Sequence, residues 1–385
     1  MVRTLYASAF LEDCILLYPV YALLFARTGL TGAEIASLFV LWSLTGFLLE
    51  IPSGVWADRF SRRRLLVLGP VLSGTGFALW TVLPSYGSFA AGFVLWGAGS
   101  ALRSGTLEAL VHEELAFLGT ADRYARHMGR ARACGAAGEL VATAAAAPVL
   151  AVGGYTAVGA AGVLACAAGA AVAHTFPEHR TSAAAPKAEH TAAEPFGRLL
   201  RRGLAEARRV PAVRRAVLLT AVLTGALAYD EFLPLFAAST GIAVTTVPLL
   251  ILLVTAAAAV GEWNAGRGRR LLRPALLVSA VLLVLAGLNG RPAAFGLVAV
   301  AYGIARWAAT TAEARLQSRL SDGTRATVGS IAGVGSEVVA VLVFALHGLG
   351  SAWSPPGLLL ACAALPYGCA ACLLLRRRPS DGHVR

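Results

Sequence analysis

Charge is scarce in this chain. Of its 385 residues only 14% are Asp, Glu, Lys or Arg, while 57% are hydrophobic, and the mean hydropathy is +0.68. A soluble domain needs far more polar surface, so that class is excluded. Cysteine is also sparse: Cys14, Cys134, Cys166, Cys362, Cys369 and Cys372 all lie in apolar runs, where the side chain acts as a small hydrophobe rather than as part of a disulfide framework. Cys369 and Cys372 form a CxxC, but no Cys or His at ligand spacing accompanies them, so packing is favoured over metal or redox chemistry. No GxxxxGK[ST] loop and no HExxH are present, which leaves ATP coupling and an intramembrane metalloenzyme without support. The first apolar run, "MVRTLYASAFLEDCILLYPVYALLFAR", lacks a small-residue cleavage site and carries Glu12 and Asp13. It reads as a retained span rather than a signal peptide.

What the chain has in abundance is apolar runs of the length that crosses a hydrocarbon core, roughly 17 to 25 residues. Twelve are expected, near 4–26, 34–56, 65–83, 88–110, 127–150, 155–175, 213–238, 244–263, 272–289, 293–315, 326–348 and 356–375. Backbone groups in lipid must be satisfied within the segment, and nothing alternates as a barrel strand would, so the fold class is all-α integral membrane. One long polar segment, 176–212, separates the sixth and seventh runs. It opens Ala/Pro-rich and ends in "FGRLLRRGLAEARRV", with Phe196, Leu199, Leu200 and Leu204 on one helical face opposite arginines. That pattern suits a helix on an anionic membrane surface, or a solvated linker helix.

The net charge of +12 is a matter of placement rather than of nucleic acid. Only Arg27 and Arg291 fall in turns on one side of the expected membrane and only Arg103 and Arg306 inside spans. The other basic residues share the side that holds residues 57–64, both termini and the long loop, which the positive-inside rule assigns to the cytoplasm. The cell membrane is the expected location.

The chain repeats itself. "GVWADRFSRRRLL" at Gly54 is echoed by "GEWNAGRGRRLL" at Gly261, "TLEAL" at Thr106 by "TAEAR" at Thr311, and "GELVA" at Gly138 by "SEVVA" at Ser336. More loosely, acidic pairs precede Pro19 in the first span and Pro234 in the seventh. Four echoes in one order, about two hundred residues apart, make a parallel repeat of two six-span halves, an arrangement found in transporters that rock one bundle against the other. The expected domains are 1–175 and 213–375, joined by the linker 176–212 and followed by a basic tail, 376–385.

On these residues the chain resembles the major facilitator superfamily over essentially its whole length. Gly54, Ala57, Asp58, Arg59, Arg62 and Arg63 match its loop between spans two and three, with Trp56 in place of a leucine and Ser61 in place of a second glycine. "EIPSGVWADR" further resembles a bacterial subgroup regarded as efflux proteins. Two exporter features are unmet: Phe93 stands where an arginine precedes Gly97 and Gly99, and Pro148 is too far from Gly153 and Gly154 for G-P-x-x-G-G.

Ionisable groups at membrane depth are functional candidates by default. These are Glu12, Asp13, Arg103, Glu139, Asp230, Glu231, Arg306 and Glu337. The resemblance implies that spans one, four, seven and ten line a central cavity, which places all but Glu139 and Glu337 on cavity-lining spans. Asp13 and Asp230 lead as proton-coupling residues. Glu139 and Glu337 come next, with pairing to Arg103 or Arg306 an equal alternative. Neighbouring carboxylates point about 100° apart on a helix, so at most one of Glu12 and Asp13 faces the cavity centre. Tyr18, Tyr21, Trp42, Trp96, Tyr229, Tyr302 and Trp307 are candidate faces for an organic cation, or packing residues. His174 and His347 read as interfacial, and Gly97–Gly99, Gly135–Gly138 and Gly329–Gly333 as close helix crossings. By resemblance, Gly54, Asp58, Arg59, Arg62 and Arg63 belong to a cytoplasmic gate in which Arg325 or Thr324 would partner Asp58.

The expected activity is secondary transport by alternating access: export of a small amphipathic or cationic organic compound against proton entry. The alternatives are a nutrient importer or facilitator and, at a distance, a non-transporting receptor or scaffold. Catalysis, cofactors, metals and nucleic acid are not expected. The expected partners are substrate, protons and anionic lipid at the cytoplasmic face, with the protein a monomer.

Overall fold

The computed structural model describes residues 1–179, 211–318 and 322–374. The expected surface helix near 196–204 and the basic tail lie outside them. The described residues are overwhelmingly helical: α1 (Val2–Asp13), α2 (Tyr21–Arg27), α3 (Gly32–Arg59), α4 (Arg62–Val82), α5 (Tyr86–Arg103), α6 (Thr106–Phe117), α7 (Tyr124–His174), α8 (Pro211–Ala226), α9 (Leu233–Ser239), α10 (Val247–Trp263), α11 (Leu272–Asn289), α12 (Phe295–Gln317), α13 (Asp322–Gly350), α14 (Pro356–Cys362) and α15 (Leu365–Leu373). No strand occurs among them.

Nine stretches of the described residues are long and apolar enough to cross a membrane. One of them contains α7, whose 51 residues would extend about 76 Å as a straight helix, far beyond a ~30 Å core. It is not straight. Gly154 adopts φ 63° and ψ −163°, which breaks the helix. Gly138 and Gly169, almost equally distant from Gly154 in sequence, both meet the same stretch of α1: Gly138 abuts the Phe10 carbonyl and Gly169 the Leu11 side chain. The two limbs are therefore antiparallel. The expected first and fourth spans are not among the nine: α1 stops at Asp13 and α5 at Arg103.

Capping explains several helix starts. Thr31 and Glu34 form a reciprocal capping box at α3, with Glu34 N–H to Thr31 Oγ1 at 3.2 Å and Thr31 N–H to Glu34 Oε2 at 2.8 Å. At α4, Ser61 Oγ accepts from Arg64 N–H at 3.2 Å, and Glu178 reaches in from beyond α7 to accept Arg62 N–H at 2.7 Å and Ser61 Oγ–H at 2.5 Å. Two of the orphan amides of that helix start are thereby satisfied.

The contacts divide the chain into two compact units. The first takes its described residues from Met1–Ala193, Glu231–Leu253 and Phe344–Trp353. Its helices meet backbone to backbone: a Cβ on Gly69 would lie 3.1 Å from the Gly99 carbonyl oxygen, and one on Gly76 2.8 Å from that of Gly92. An aromatic core surrounds the buried Tyr21, with Phe25, Phe39, Trp80 and Phe93 in ring contact. Phe39 extends it to Phe232 at 5.2 Å and Phe344 at 5.5 Å, the contacts that hold the two later segments in this unit. His347, expected to be interfacial, is buried and stacks on Phe232.

The second unit comprises described residues of Glu194–Asp230, Val254–Val343 and Ser354–Arg385. Close crossings recur there. Gly261 abuts the Gly303 carbonyl, Gly287 that of Gly357, and a Cβ on Gly335 would lie 2.8 Å from that of Ala221. At the crossing expected at Gly329–Gly333, a Cβ on Gly329 would lie 3.7 Å from Gln317 Nε2 of α12, Gly333 meets nothing within 4 Å among the described residues, and Gly335 makes the close approach. All six cysteines are free.

Candidate functional site

In each half of the chain an acidic pair sits where a helix gives way. In the first, Glu12 and Asp13 end α1, and residues 14–20 form turns that run through Pro19 to α2. In the second half of the chain, Asp230 and Glu231 lie in a short 3-10 stretch, Leu227–Phe232, between α8 and α9, and Pro234 opens the next helix. Sequence reading placed the acids and prolines correctly but treated both spans as continuous. Hydropathy does not report backbone conformation, so the interruptions were invisible to it. A third break separates α5 from α6 at Ser104–Gly105, with Gly105 at φ 68°, directly after Arg103. Its Ser-Gly dipeptide was the available signal.

Glu12 and Arg103 form an ion pair in the first unit, joining the interrupted helix ends of the expected first and fourth spans. Arg103 is the better buried of the two. The arginine also sits at the C-terminal end of α5, where unsatisfied carbonyls favour a cation. Asp13 turns to another side, its carboxylate against Gly135 of α7. Only a glycine leaves room for it there. The two neighbouring acids thus point to different surroundings, as helical geometry requires. Tyr18 lies within electrostatic range of Asp13, Glu139 and Glu231. Its ring stacks on Trp96 at 5.2 Å, and Trp96 stacks on Trp42 at 4.7 Å. Tyr21 donates its hydroxyl hydrogen to the Glu231 carboxylate.

In the second unit Arg306 joins two carboxylates, with Nη2 3.7 Å from Asp230 Oδ2 and Nη1 3.3 Å from Glu262 Oε1. All three side chains are between a third and a half exposed. Glu262 escaped the sequence reading because it stands inside the echo of the loop motif, "GEWNAG", and was taken with it. Tyr302 and Tyr367 are buried beside this group and within electrostatic range of Asp230 and Arg306. The Tyr367 hydroxyl has no hydrogen-bond partner among the described residues. A buried hydroxyl without a partner is costly, and such a group marks a place where a ligand or water completes the set. Trp307 donates its indole N–H to the Arg267 carbonyl at 3.1 Å, a structural use. Glu139 is half-buried on α7 and Glu337 exposed on α13.

The arginine-rich loop is only partly a free charged surface. Arg62 is buried and ion-paired with Glu113 of α6. Glu114, next in sequence, accepts from His179 N–H at 2.7 Å and lies 2.9 Å from its ring Nδ1. Gly54 and Arg59 are exposed and Arg63 is half-buried. The side chains of Asp58 and Arg325 lie outside the described set.

Comparison with known proteins adds a family to this geometry. Residues 7–268 match the Major Facilitator Superfamily. The chain belongs to that superfamily. No curated protein matches it. Among solved structures it is similar to the nucleoside transporter NupG (14% identity, TM-score 0.67, covering 97% of this chain and 96% of that one). It is also similar to an auto-inhibited POT family peptide transporter (13%, 0.71, 100% and 98%) and to a D-xylose-proton symporter (16%, 0.70, 98% and 97%). At such identities these likenesses establish the superfamily fold: an all-α, multi-pass membrane protein.

Proposed function

We propose that this superfamily member is a secondary active transporter working by alternating access, exporting a small amphipathic or cationic organic compound in exchange for protons. One observation carries the reading: the two helices that bear the acidic pairs are interrupted at corresponding places in the two halves of the chain. Interrupted helices in matching positions are the mark of helices that bind substrate and coupling ion in a transporter. Each pair contributes one carboxylate bound to an arginine, Glu12 to Arg103 and Asp230 to Arg306, and one directed elsewhere. Within the first unit, the stacked rings of Tyr18, Trp96 and Trp42 beside an excess of carboxylates suit a flat, cationic or amphipathic molecule. The proposal includes twelve spans in two six-helix halves, both termini in the cytoplasm and a monomer in the cell membrane. A second reading keeps alternating access and makes the protein a proton-coupled importer or a facilitator of a small nutrient, with substrate and protons moving the same way, as the name of the D-xylose-proton symporter of similar fold suggests.

Protons couple through carboxylates whose surroundings change during the cycle. In proteoliposomes, an imposed pH gradient is expected to drive substrate movement, and substrate to move protons. Asp13→Asn and Asp230→Asn are expected to abolish the coupled flux and leave a folded protein. Flux indifferent to the gradient refutes coupling, and normal transport in both variants removes these two residues from it. The sign of the gradient that accumulates substrate decides between export and import.

A further inference from the structure

At the end of the first unit that carries the arginine-rich loop, a cavity of about 470 Å³ opens between α3, α4 and α5. Its walls are stripes read at helical spacing. Leu49, Ser53, Trp56 and Phe60 come from α3 and its C-cap, and Leu65, Leu68 and Leu72 from one face of α4. Small residues of α5, among them Ala98 and Ala101, leave the space unfilled. From Leu49 to Phe60 the α3 wall rises about 16 Å, enough for a dozen extended methylenes. Trp56, Phe60 and Leu68 are exposed along its open side.

The polar end of this slot is asymmetric. Arg64, exposed in the first turn of α4, lines the mouth and makes no ion pair among the described residues. The neighbouring cation is already used, since Arg62 belongs to Glu113. The amides of Arg62 and Arg64 are also taken, by Glu178 and Ser61, so the helix start itself has little left to offer an anion. A guanidinium above a chain-long apolar slot, with the Glu178 carboxylate beside it already held by Ser61 and the Arg62 amide, is complementary to one class of molecule.

We propose that this slot is a binding site for an anionic phospholipid, its phosphate on Arg64 and one acyl chain lying along Leu49, Leu65, Leu68 and Leu72. Guanidinium and phosphate form paired charge-assisted hydrogen bonds, and the leucines replace bulk lipid by fixed walls. The inference is independent of substrate, direction and coupling.

Native mass spectrometry of the whole protein released from nanodiscs tests it, with dioleoyl phosphatidylglycerol and dioleoyl phosphatidylcholine as probes. The wild type is expected to retain one phosphatidylglycerol per chain at least tenfold more readily than phosphatidylcholine. Arg64→Gln is expected to abolish that preference, whereas Arg130→Gln, at an exposed arginine of α7, is expected to leave it intact. Ala98→Trp, which fills the slot, is expected to reduce retention of both lipids. Because that variant risks misfolding, quenching by a brominated-acyl phosphatidylglycerol provides a second readout, expected in wild type and diminished in Trp56→Phe. Equal phosphatidylglycerol retention by wild type and Arg64→Gln overturns the proposal. So does displacement of the lipid by millimolar inorganic phosphate, which would make the site one for free phosphate.

Discussion

Glu12 and Arg103 are each legible in the sequence as a charge at membrane depth, but only the fold makes them partners. Removing one member of a poorly solvated ion pair strands the other. Arg103→Gln is therefore expected to destabilise the protein by about 2 kcal/mol, less than the ~3–5 kcal/mol of a fully buried pair because Glu12 is partly exposed. The double variant Glu12→Gln with Arg103→Gln should recover most of that loss in a thermal unfolding assay and yet fail to transport. Tyr367 separates structure from function in the opposite sense. Its hydroxyl is buried without a partner, so Tyr367→Phe is expected to raise stability by about 1 kcal/mol. Transport by the same variant should show a raised KM. The residues that sequence reading missed, Glu262 and Tyr367, share a reason. One stands inside a loop-motif echo and the other is a tyrosine in an apolar run, and neither signals its neighbours before the helices are packed.

Elements were read well where hydrophobicity decides them and poorly where backbone conformation does. The division of 127–150 from 155–175 coincides with the break at Gly154. The interruptions after Asp13, at Asp230 and after Arg103 passed unnoticed, since a broken span has nearly the hydropathy of a whole one. Glycine behaves in the same way, because its spacing hints at a crossing without saying which glycine makes it. Gly261 abuts the Gly303 carbonyl, so Gly261→Val must push α10 and α12 apart, at about 1–3 kcal/mol. Gly333→Ala, in open space inside α13, should raise stability by about 0.5–1 kcal/mol, the helix-propensity gain alone. The contrast in melting temperature between these two variants measures what backbone approach contributes.

For the molecule as a whole, the internal repeat carries the proposal of two six-helix halves, because it points at the same places in both. A gate at the arginine-rich loop is proposed at this scale. If Asp58 latches one state of the cycle, Asp58→Asn should shift the balance between states, read as altered thiol accessibility of introduced cysteines, and should change the transport rate. An unchanged rate and unchanged accessibility together would remove Asp58 from the gate.

The break at Gly154 has a practical corollary. Its two limbs are joined with almost no intervening loop, both helices running up to a single residue of unusual conformation. A reporter or affinity tag spliced there would have nowhere to sit without unravelling a helix end. Severing the gene at that codon and co-expressing the pieces would likewise ask two limbs that share one turn to find each other unaided. The connection at Gly154 is thus a hinge of one residue and a poor place to engineer.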